Sequence, residues 1–414
     1  MASIEFIFWF FQAIIFYTYI GYACLLYVLV RLKRLFKRKE IQEINHRVNP
    51  EMQENNLRVN PKVEDSLFRE IYEPEVTLLI AAYNEKDYLQ QKVQNSLSLD
   101  YPPEKLHQLW ISDGSDDGTP EALTQFPGIR VLHQHERKGK IAAINRGMQH
   151  VETPIVIFSD ANTFLGVQSV RKIVELFTEP ATGCVSGEKR IFNSENEAAT
   201  GAGEGLYWRY ESTLKKWDAE LNSVVGAAGE LFAIRTELYQ EVEPDTLLDD
   251  FIISLRIAMK GYSIQYDPDA YAIETASADV KEELKRKIRI AAGGIQSIIR
   301  LWQLLNIFKY GILSFQYISH RVLRWTLAPL ALPIVFGLNI FLINEAGIYY
   351  YLLILQALFY LAAFLGWSFQ KFRIKFKVFF VPYYFVVMNY AVYRGFLRFI
   401  KNSQSVNWER ARRG

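Results

Sequence analysis

The residues best suited to chemistry fall in short clusters: AAYNE (81–85), SDGSDDGT (112–119), KGK (138–140), SDANT (159–163) and LLDD (247–250). Asp160 and Asn162 lie two apart behind an apolar run, and on an extended segment such residues point the same way. Two hard oxygen ligands on one side suit Mg²⁺ or Mn²⁺, with phosphate oxygens of a bound ligand completing the shell. Such an ion acts as a Lewis acid on a departing phosphate. Asn162 can ligate through its amide oxygen but adds no charge. Lys138 and Lys140 flank Gly139 where a helix is expected to begin. A helix N-terminus with lysine beside it suits a phosphate, although the same residues also fit a solvated basic loop. Asp249 and Asp250 are adjacent carboxylates at an expected helix start. They either answer the helix dipole or supply, in Asp250, a general base that takes a proton from an attacking hydroxyl. Asn84, Glu85 and Asp113 close strands and could accept hydrogen bonds from a base or a ribose. Taken singly, all of these are also ordinary turn residues.

The elements that must position them are legible from residue 75 onward. β-rich runs alternate with helical stretches: VTLLIAA, HQLWISD, IRVLH and PIVIFSD, separated by polar or amphipathic segments. This alternation predicts parallel βαβ units and an open α/β sheet, in which ligands bind at the C-terminal ends of the strands. Three of the four runs end in acidic or amide residues, so three strands deliver such groups to one rim.

The flanks of the chain are of a different kind. Half of the 414 residues are hydrophobic and 14% are aromatic, with the apolar residues gathered at the two ends. Residues 4–30 are almost wholly apolar and long enough to span a bilayer. The basic RLKRLFKRK follows this run rather than preceding it, which favours a retained anchor with a cytoplasmic flank over a cleaved signal. Further apolar runs lie at 322–343, 348–366 and 378–397. With the loop QKFRIKFK inside and NEAG outside, four spans leave the middle domain in the cytoplasm and the tail, with Arg410, Arg412 and Arg413, outside. That placement of the tail conflicts with the positive-inside rule. Residues 285–321 mix Lys and Arg with Ile, Leu, Trp and Phe, the pattern of helices lying in the membrane interface, which an amphipathic helix packed on the soluble domain also shows. The expected organisation is an anchor at 1–39, a linker at 40–74 holding two RVNP pieces, a catalytic domain at 75–280, interface helices at 281–321 and a membrane region with a basic tail at 322–414.

A net charge of +2 gives no basic field for nucleic acid. Cys24 and Cys184 lie in unrelated apolar contexts and predict neither a disulfide framework nor a cysteine-based zinc site. There is no GxxxxGK[ST] loop for an ATP-driven pump. The charged residues of the apolar runs, chiefly Glu5, Arg324 and Arg394, stand near the run ends, which speaks against a transporter.

In order and spacing, AAYNE, SDGSDDGT, KGK, SDANT, LDD and RKIRI resemble the motifs of membrane-bound family 2 glycosyltransferases of the hyaluronan, cellulose and poly-N-acetylglucosamine synthase kind. By motif the resemblance covers about residues 75–300. It implies a GT-A (Rossmann-like) nucleotide-sugar domain between an N-terminal transmembrane helix and C-terminal ones, in a bacterial inner membrane. It further implies that Ala82, Asn84, Glu85 and Asp113 meet the nucleoside part of a UDP-sugar donor, and that Lys140 lies near its diphosphate. Asp160 matches the first acid of the DxD metal motif, and Asp250 matches the base. Arg286 and Arg289 match the first and fourth positions of QxxRW, which closes the donor site. The second DxD acid is Asn162 here, and the motif's Trp is Ile290. The activity implied is inverting transfer of a sugar to a saccharide or lipid-linked acceptor in cell-surface glycan synthesis. A processive synthase-translocase is the alternative within the class, and a non-catalytic membrane nucleotide-binding or transport protein is the alternative outside it.

Overall fold

The computed structural model describes residues 2–48, 72–192, 200–275, 280–371 and 377–401. Most of the 40–74 linker, the middle of the QKFRIKFK loop and the tail with Arg410, Arg412 and Arg413 lie outside the described residues.

The first four strands are those read from the sequence: β1 (Val76–Ala82), β2 (Leu106–Asp113), β3 (Ile129–Gln134) and β4 (Ile155–Asp160). They pair in parallel, with β1 between β2 and β4 and β3 outside β2. Because the sheet is covered on both faces, successive side chains of β1 enter different cores. Leu79 packs with Ile111, Phe158 and Ile144 on one side. Leu78 and Ile80 pack with Trp110, Ile157 and Val93 on the other. Helices α3 (Lys86–Leu97) and α6 (Ser169–Leu176) close the second face. The first is closed by α5 (Lys140–Met148) and α8 (Asp249–Met259), while Leu123 of the short α4 (Thr119–Leu123) joins the second core.

Beyond β4 the sheet departs from the all-parallel expectation. Its order is β3-β2-β1-β4-β7-β6-β8-β5. β7 (Leu231–Arg235) runs antiparallel to both β4 and β6 (Thr182–Phe192). β8 (Ser263–Thr275) is parallel to β6, and β5 (Phe164–Leu165) is a two-residue edge strand antiparallel to it. Phe158 and Phe232 stack across the β4–β7 junction with centroids 4.5 Å apart. The antiparallel β7 brings the GAAGE segment alongside the end of β4.

The membrane-facing part starts with α1 (Ala2–Phe16), a π-helical turn at Tyr17–Gly21 and α2 (Tyr22–Val48), so that the first residues of the expected linker still belong to a helix. α7 (Thr200–Leu221) leans on α2, and the buried Asp218 accepts hydrogen bonds from Tyr22 at 2.5 Å and Gln316 at 3.0 Å, with His320 Nδ1 at 2.6 Å. Glu211 on the same helix is ion-paired with Arg321 at 3.3 Å and with Arg324. These contacts seat the α/β domain on the first membrane helix and on the segment leading into the C-terminal ones. The amphipathic α9 (Val280–Arg300) precedes α10 (Ile307–Tyr317), a π-helical turn, the short α11 (Leu323–Trp325) and α12 (Leu327–Leu342). α13 (Gly347–Lys371) and α14 (Lys377–Ile400) follow.

Among the described residues, two helices are long and apolar enough to cross a membrane, Ala2–Lys39 and Gly347–Phe369, and a third span arises if Ile307–Trp325 and Leu327–Leu342, bent by 53°, count as one. The expected run at 378–397 is a helix but is not among them. It carries Pro382 within it and packs on α9. At that contact a Cβ on Gly395 would stand 2.6 Å from Ala291 Cβ and 2.8 Å from the Ala292 nitrogen.

Candidate active site

The cleft opens at the carboxyl ends of β1, β2 and β4, with the N-termini of α5 and α8 facing them. Gly139 precedes α5 at φ 94°, a conformation that suits glycine, and directs Lys140 inward. Lys140 Nζ lies 2.8 Å from Asp160 Oδ1 at the end of β4 and 3.6 Å from Asp249 Oδ2 at the start of α8. Burial opposes the ammonium charge, but Asp160, Asp249 and Asp250 outweigh it and raise the pKa of Lys140. Carboxylates almost ninety residues apart in the chain thus meet around one cation.

Asp250 is held in a different state. Burial, and then the neighbouring Asp249, push its carboxyl up to about 7, against the opposing pull of Lys140. Glycine at 229, on the segment before β7, leaves this carboxylate its space, since a Cβ there would stand 3.2 Å from Asp250 Oδ2. Lys140, Ser159, Asp160, Gly229 and Asp249 line one cavity, and Asp250 follows Asp249 at the start of α8. A carboxyl titrating near neutrality in a cleft suits proton abstraction from a hydroxyl.

The residues expected to meet a nucleoside are placed at neighbouring strand ends, and their side chains mostly bind the protein. The Asp113 carboxylate is fully buried and accepts from the backbone N–H of Lys138 at 3.1 Å and of Gly139 at 2.7 Å. It therefore pins the KGK loop. Gly114 lets that loop approach, as it sits at φ 72° and a Cβ would meet the Arg137 backbone at 2.9 Å. Asn84, at φ 53°, exchanges two hydrogen bonds with Asp116: Nδ2 donates to Oδ1 at 2.8 Å, and Oδ1 accepts from the backbone N–H at 3.0 Å. The Glu85 backbone N–H donates to Thr119 Oγ1 at 3.1 Å, and that of Lys86 to Asp117 Oδ2 at 3.1 Å. Ser115 Oγ accepts from the Asn84 N–H at 3.1 Å, so Ser115, Asp116, Asp117 and Thr119 are the clamps of this rim. All four belong to SDGSDDGT, in which the sequence pattern points to Asp113 alone. Ala82 is buried in β1.

Asn162 corrects the geometric argument made for it. The strand ends at Asp160, and Ala161 and Asn162 lie in a turn closed by the Thr163 hydroxyl donating to the Asp160 carbonyl at 3.0 Å. The two candidate ligands therefore share a turn rather than one face of an extended strand. The donor set remains compatible with a hard divalent ion. It comprises a carboxylate and an amide oxygen, at a place where an ammonium already sits between carboxylates. Among the described residues no three His, Cys, Asp or Glu side chains form a metal cage. An ion here would need ligand oxygens to complete its shell.

The two arginines on α9 have separate surroundings. Arg286 makes two 2.9 Å bonds to Glu283 and joins a buried ionic group in which Lys189 pairs with Glu230 at 2.5 Å and with Glu274. Glu230 follows Gly229, so Arg286 reaches the cleft through this group rather than by direct contact. Arg289 is half-buried and makes no ion pair with a described residue. It lies one turn before Gly293 on the same helical face, and a Cβ on Gly293 would come 2.7 Å from Leu248 Cγ, just ahead of Asp249.

A parallel nucleotide-binding half-sheet extended by an antiparallel strand, with carboxylates gathered where the two meet, is the GT-A glycosyltransferase fold. Residues 77–243 match the sequence model described as glycosyl transferase family 2. It is 24% identical over 255 residues to the poly-beta-1,6-N-acetyl-D-glucosamine synthase of Staphylococcus epidermidis, an alignment covering 59% of this chain and 61% of that one. It is 26% identical over 233 residues to the synthase of the same name from Staphylococcus aureus strain MSSA476, covering 54% and 56%. The matched region thus spans 56% to 61% of the length of these curated relatives. Among solved structures, a mannosyltransferase from Pyrobaculum calidifontis in complex with GDP-Man and Mn²⁺ superposes with a TM-score of 0.62 at 21% identity, covering 83% of this chain and 94% of that one.

Proposed function

We propose that the protein is an inverting glycosyltransferase that moves a sugar from a nucleotide-sugar donor to a saccharide or lipid-linked acceptor in cell-surface glycan synthesis. The observation that carries this reading is Asp250, a carboxyl poised near neutrality, beside Asp249, Lys140 and Asp160 at the strand ends. Asp250 takes the proton of the acceptor hydroxyl, whose oxygen attacks the anomeric carbon as the bond to the diphosphate breaks. A single displacement inverts that centre. Lys140 is released from Asp160 toward the phosphates when the donor enters, and Arg289 adds positive charge from α9. Asp160 and Asn162 would hold Mg²⁺ or Mn²⁺, which supplies Lewis-acid stabilisation of the leaving diphosphate.

The staphylococcal relatives' names favour an N-acetylhexosamine-type saccharide as product, and the GDP-Man of the Pyrobaculum protein keeps guanosine donors in view. The same names favour the processive alternative, whereas Ile290 in place of the motif's tryptophan removes an aromatic platform for a growing chain. We place the catalytic domain on the cytoplasmic side of a bacterial inner membrane, where nucleotide-sugars are made. Purified protein incubated with Mg²⁺ or Mn²⁺ and a panel of UDP- and GDP-sugars tests the proposal through nucleotide release, and product length separates single from repeated addition. Donor binding with no release under any pairing of donor and acceptor would favour the non-catalytic reading.

A further inference from the structure

Lys92 is fully buried on the sheet-facing side of α3, behind the turn that carries Asp160 and Asn162. Its ammonium donates to Ser159 Oγ at 2.8 Å and to the Thr163 carbonyl at 2.6 Å. These acceptors are the residues immediately before Asp160 and immediately after Asn162, so one side chain grips both ends of the turn. The grip is reinforced from the same helix. Asn95 Nδ2 donates to the Leu165 carbonyl at 2.9 Å, and Asn95 Oδ1 accepts from the Leu165 N–H at 2.8 Å. Within the turn, the Ser159 and Thr163 hydroxyls lie 3.3 Å apart.

Core packing does not account for a lysine here. Among the described residues no carboxylate lies within ion-pairing distance of Lys92, and a buried ammonium without a counter-ion costs several kcal/mol. Burial accordingly pulls the Lys92 pKa down to about 7, while the charge of Asp160 works the other way. A methionine would fill similar space without that cost. What it could not do is donate two hydrogen bonds in different directions to the flanks of the cation-binding turn.

We propose that Lys92 is a positioning residue for the divalent-ion site, its two hydrogen bonds fixing the turn that presents Asp160 and Asn162. The inference rests on the reading of those two residues as ion ligands. Lys92 touches neither donor nor ion. It acts through Ser159 and Thr163, as outer-shell partners commonly orient ligands.

The test uses the full-length protein in detergent, with Mn²⁺ binding followed by the loss of the free-ion electron paramagnetic resonance signal in the presence of UDP or GDP. Lys92→Met is expected to weaken Mn²⁺ binding by about tenfold, the lower end of what outer-shell changes cost. Lys92→Arg, which keeps the charge and the donors, should recover most of that loss. Wild-type Mn²⁺ affinity in Lys92→Met would overturn the proposal and leave Lys92 a core residue only. Should Lys92→Met fail to fold, Ser159→Ala removes one of the two bonds and leaves the ammonium in place. A several-fold weakening then supports the proposal, and unchanged affinity overturns it. A wild-type protein that binds no Mn²⁺ with either nucleotide would fail at the earlier step, refuting the ion site itself.

Discussion

Replacing Asp250 by Asn separates the role proposed for this carboxyl from a structural one, because Asn has the shape of the protonated acid. In the folded protein the carboxyl is pushed from 3.8 to about 7 by burial and by Asp249. At 1.36 kcal/mol per pKa unit, that shift opposes folding by at most about 4 kcal/mol once the group is ionised. Asp250 is partly open to the cleft, and solvent reduces the expected value to about 1–2 kcal/mol. The sign follows from which state holds the proton. Below about pH 4 both folded and unfolded chains are protonated and nothing is lost. Between about 4 and 7 the unfolded chain releases its proton while the folded one keeps it, so stability falls as pH rises. Above about 7 the full cost is present. Asp250→Asn should therefore melt close to wild type near pH 4–5 and a few degrees higher at pH 8. Transfer should fall by about 10²–10⁴, the usual contribution of a general base, with donor binding retained. Thermal melts at the two pH values, donor titration and nucleotide release measure all three. Wild-type turnover, or a melting difference indifferent to pH, would refute the assignment.

The same geometry fixes the outcome of other changes. Lys140→Met removes the charge that opposes the rise of the Asp250 pKa, so the ascending limb of the pH–rate profile should move to higher pH and donor affinity should drop by about tenfold; an unmoved limb would break the electrostatic link between them. Gly229→Ala places a methyl 3.2 Å from Asp250 Oδ2 and should lower kcat far more than it raises the donor KM; equal effects on both would mean that Gly229 shapes the donor pocket instead. Arg289→Ala should cut kcat/KM by about 10²-fold while leaving the melting temperature within about a degree, since no described ion pair is lost; wild-type kinetics would remove Arg289 from the leaving-group site.

The half of the fold that carries the site was open to reading because buried parallel strands are written as unbroken apolar runs that stop at polar residues. VTLLIAA and IVIFSD declare both their course and their ends. β6 and β8 could not be read in this way. SIQYDPDAYAIET mixes polar with apolar residues, and it pairs with a strand about eighty residues earlier, a relation that no local pattern encodes. The pairing of Asp160 with Asp250 came from the family resemblance rather than from strand and helix ends, and in the structure Lys140 stands beside Asp160 and Asp249. The turn at Ala161 and Asn162 was not inferred, because alternation along a strand says nothing about where the strand stops. Lys92 left no trace, since a lysine in KDYLQQKVQNSL reads as solvated. The last apolar run shows a further limit of composition. The helix Lys377–Ile400 packs on α9 at Gly395, a contact that no local pattern in the sequence announces.

That contact also restricts how the protein can move. With no room for even one methyl group between Gly395 and the backbone of α9, the last helix cannot slide along α9 or rotate against it without first separating from it. The two are effectively a single beam, and Arg286 and Arg289 ride on it. Tilting or thinning of the surrounding bilayer that displaces the C-terminal helix would therefore carry both guanidinium groups with it, giving the lipid environment a mechanical lever on the cleft.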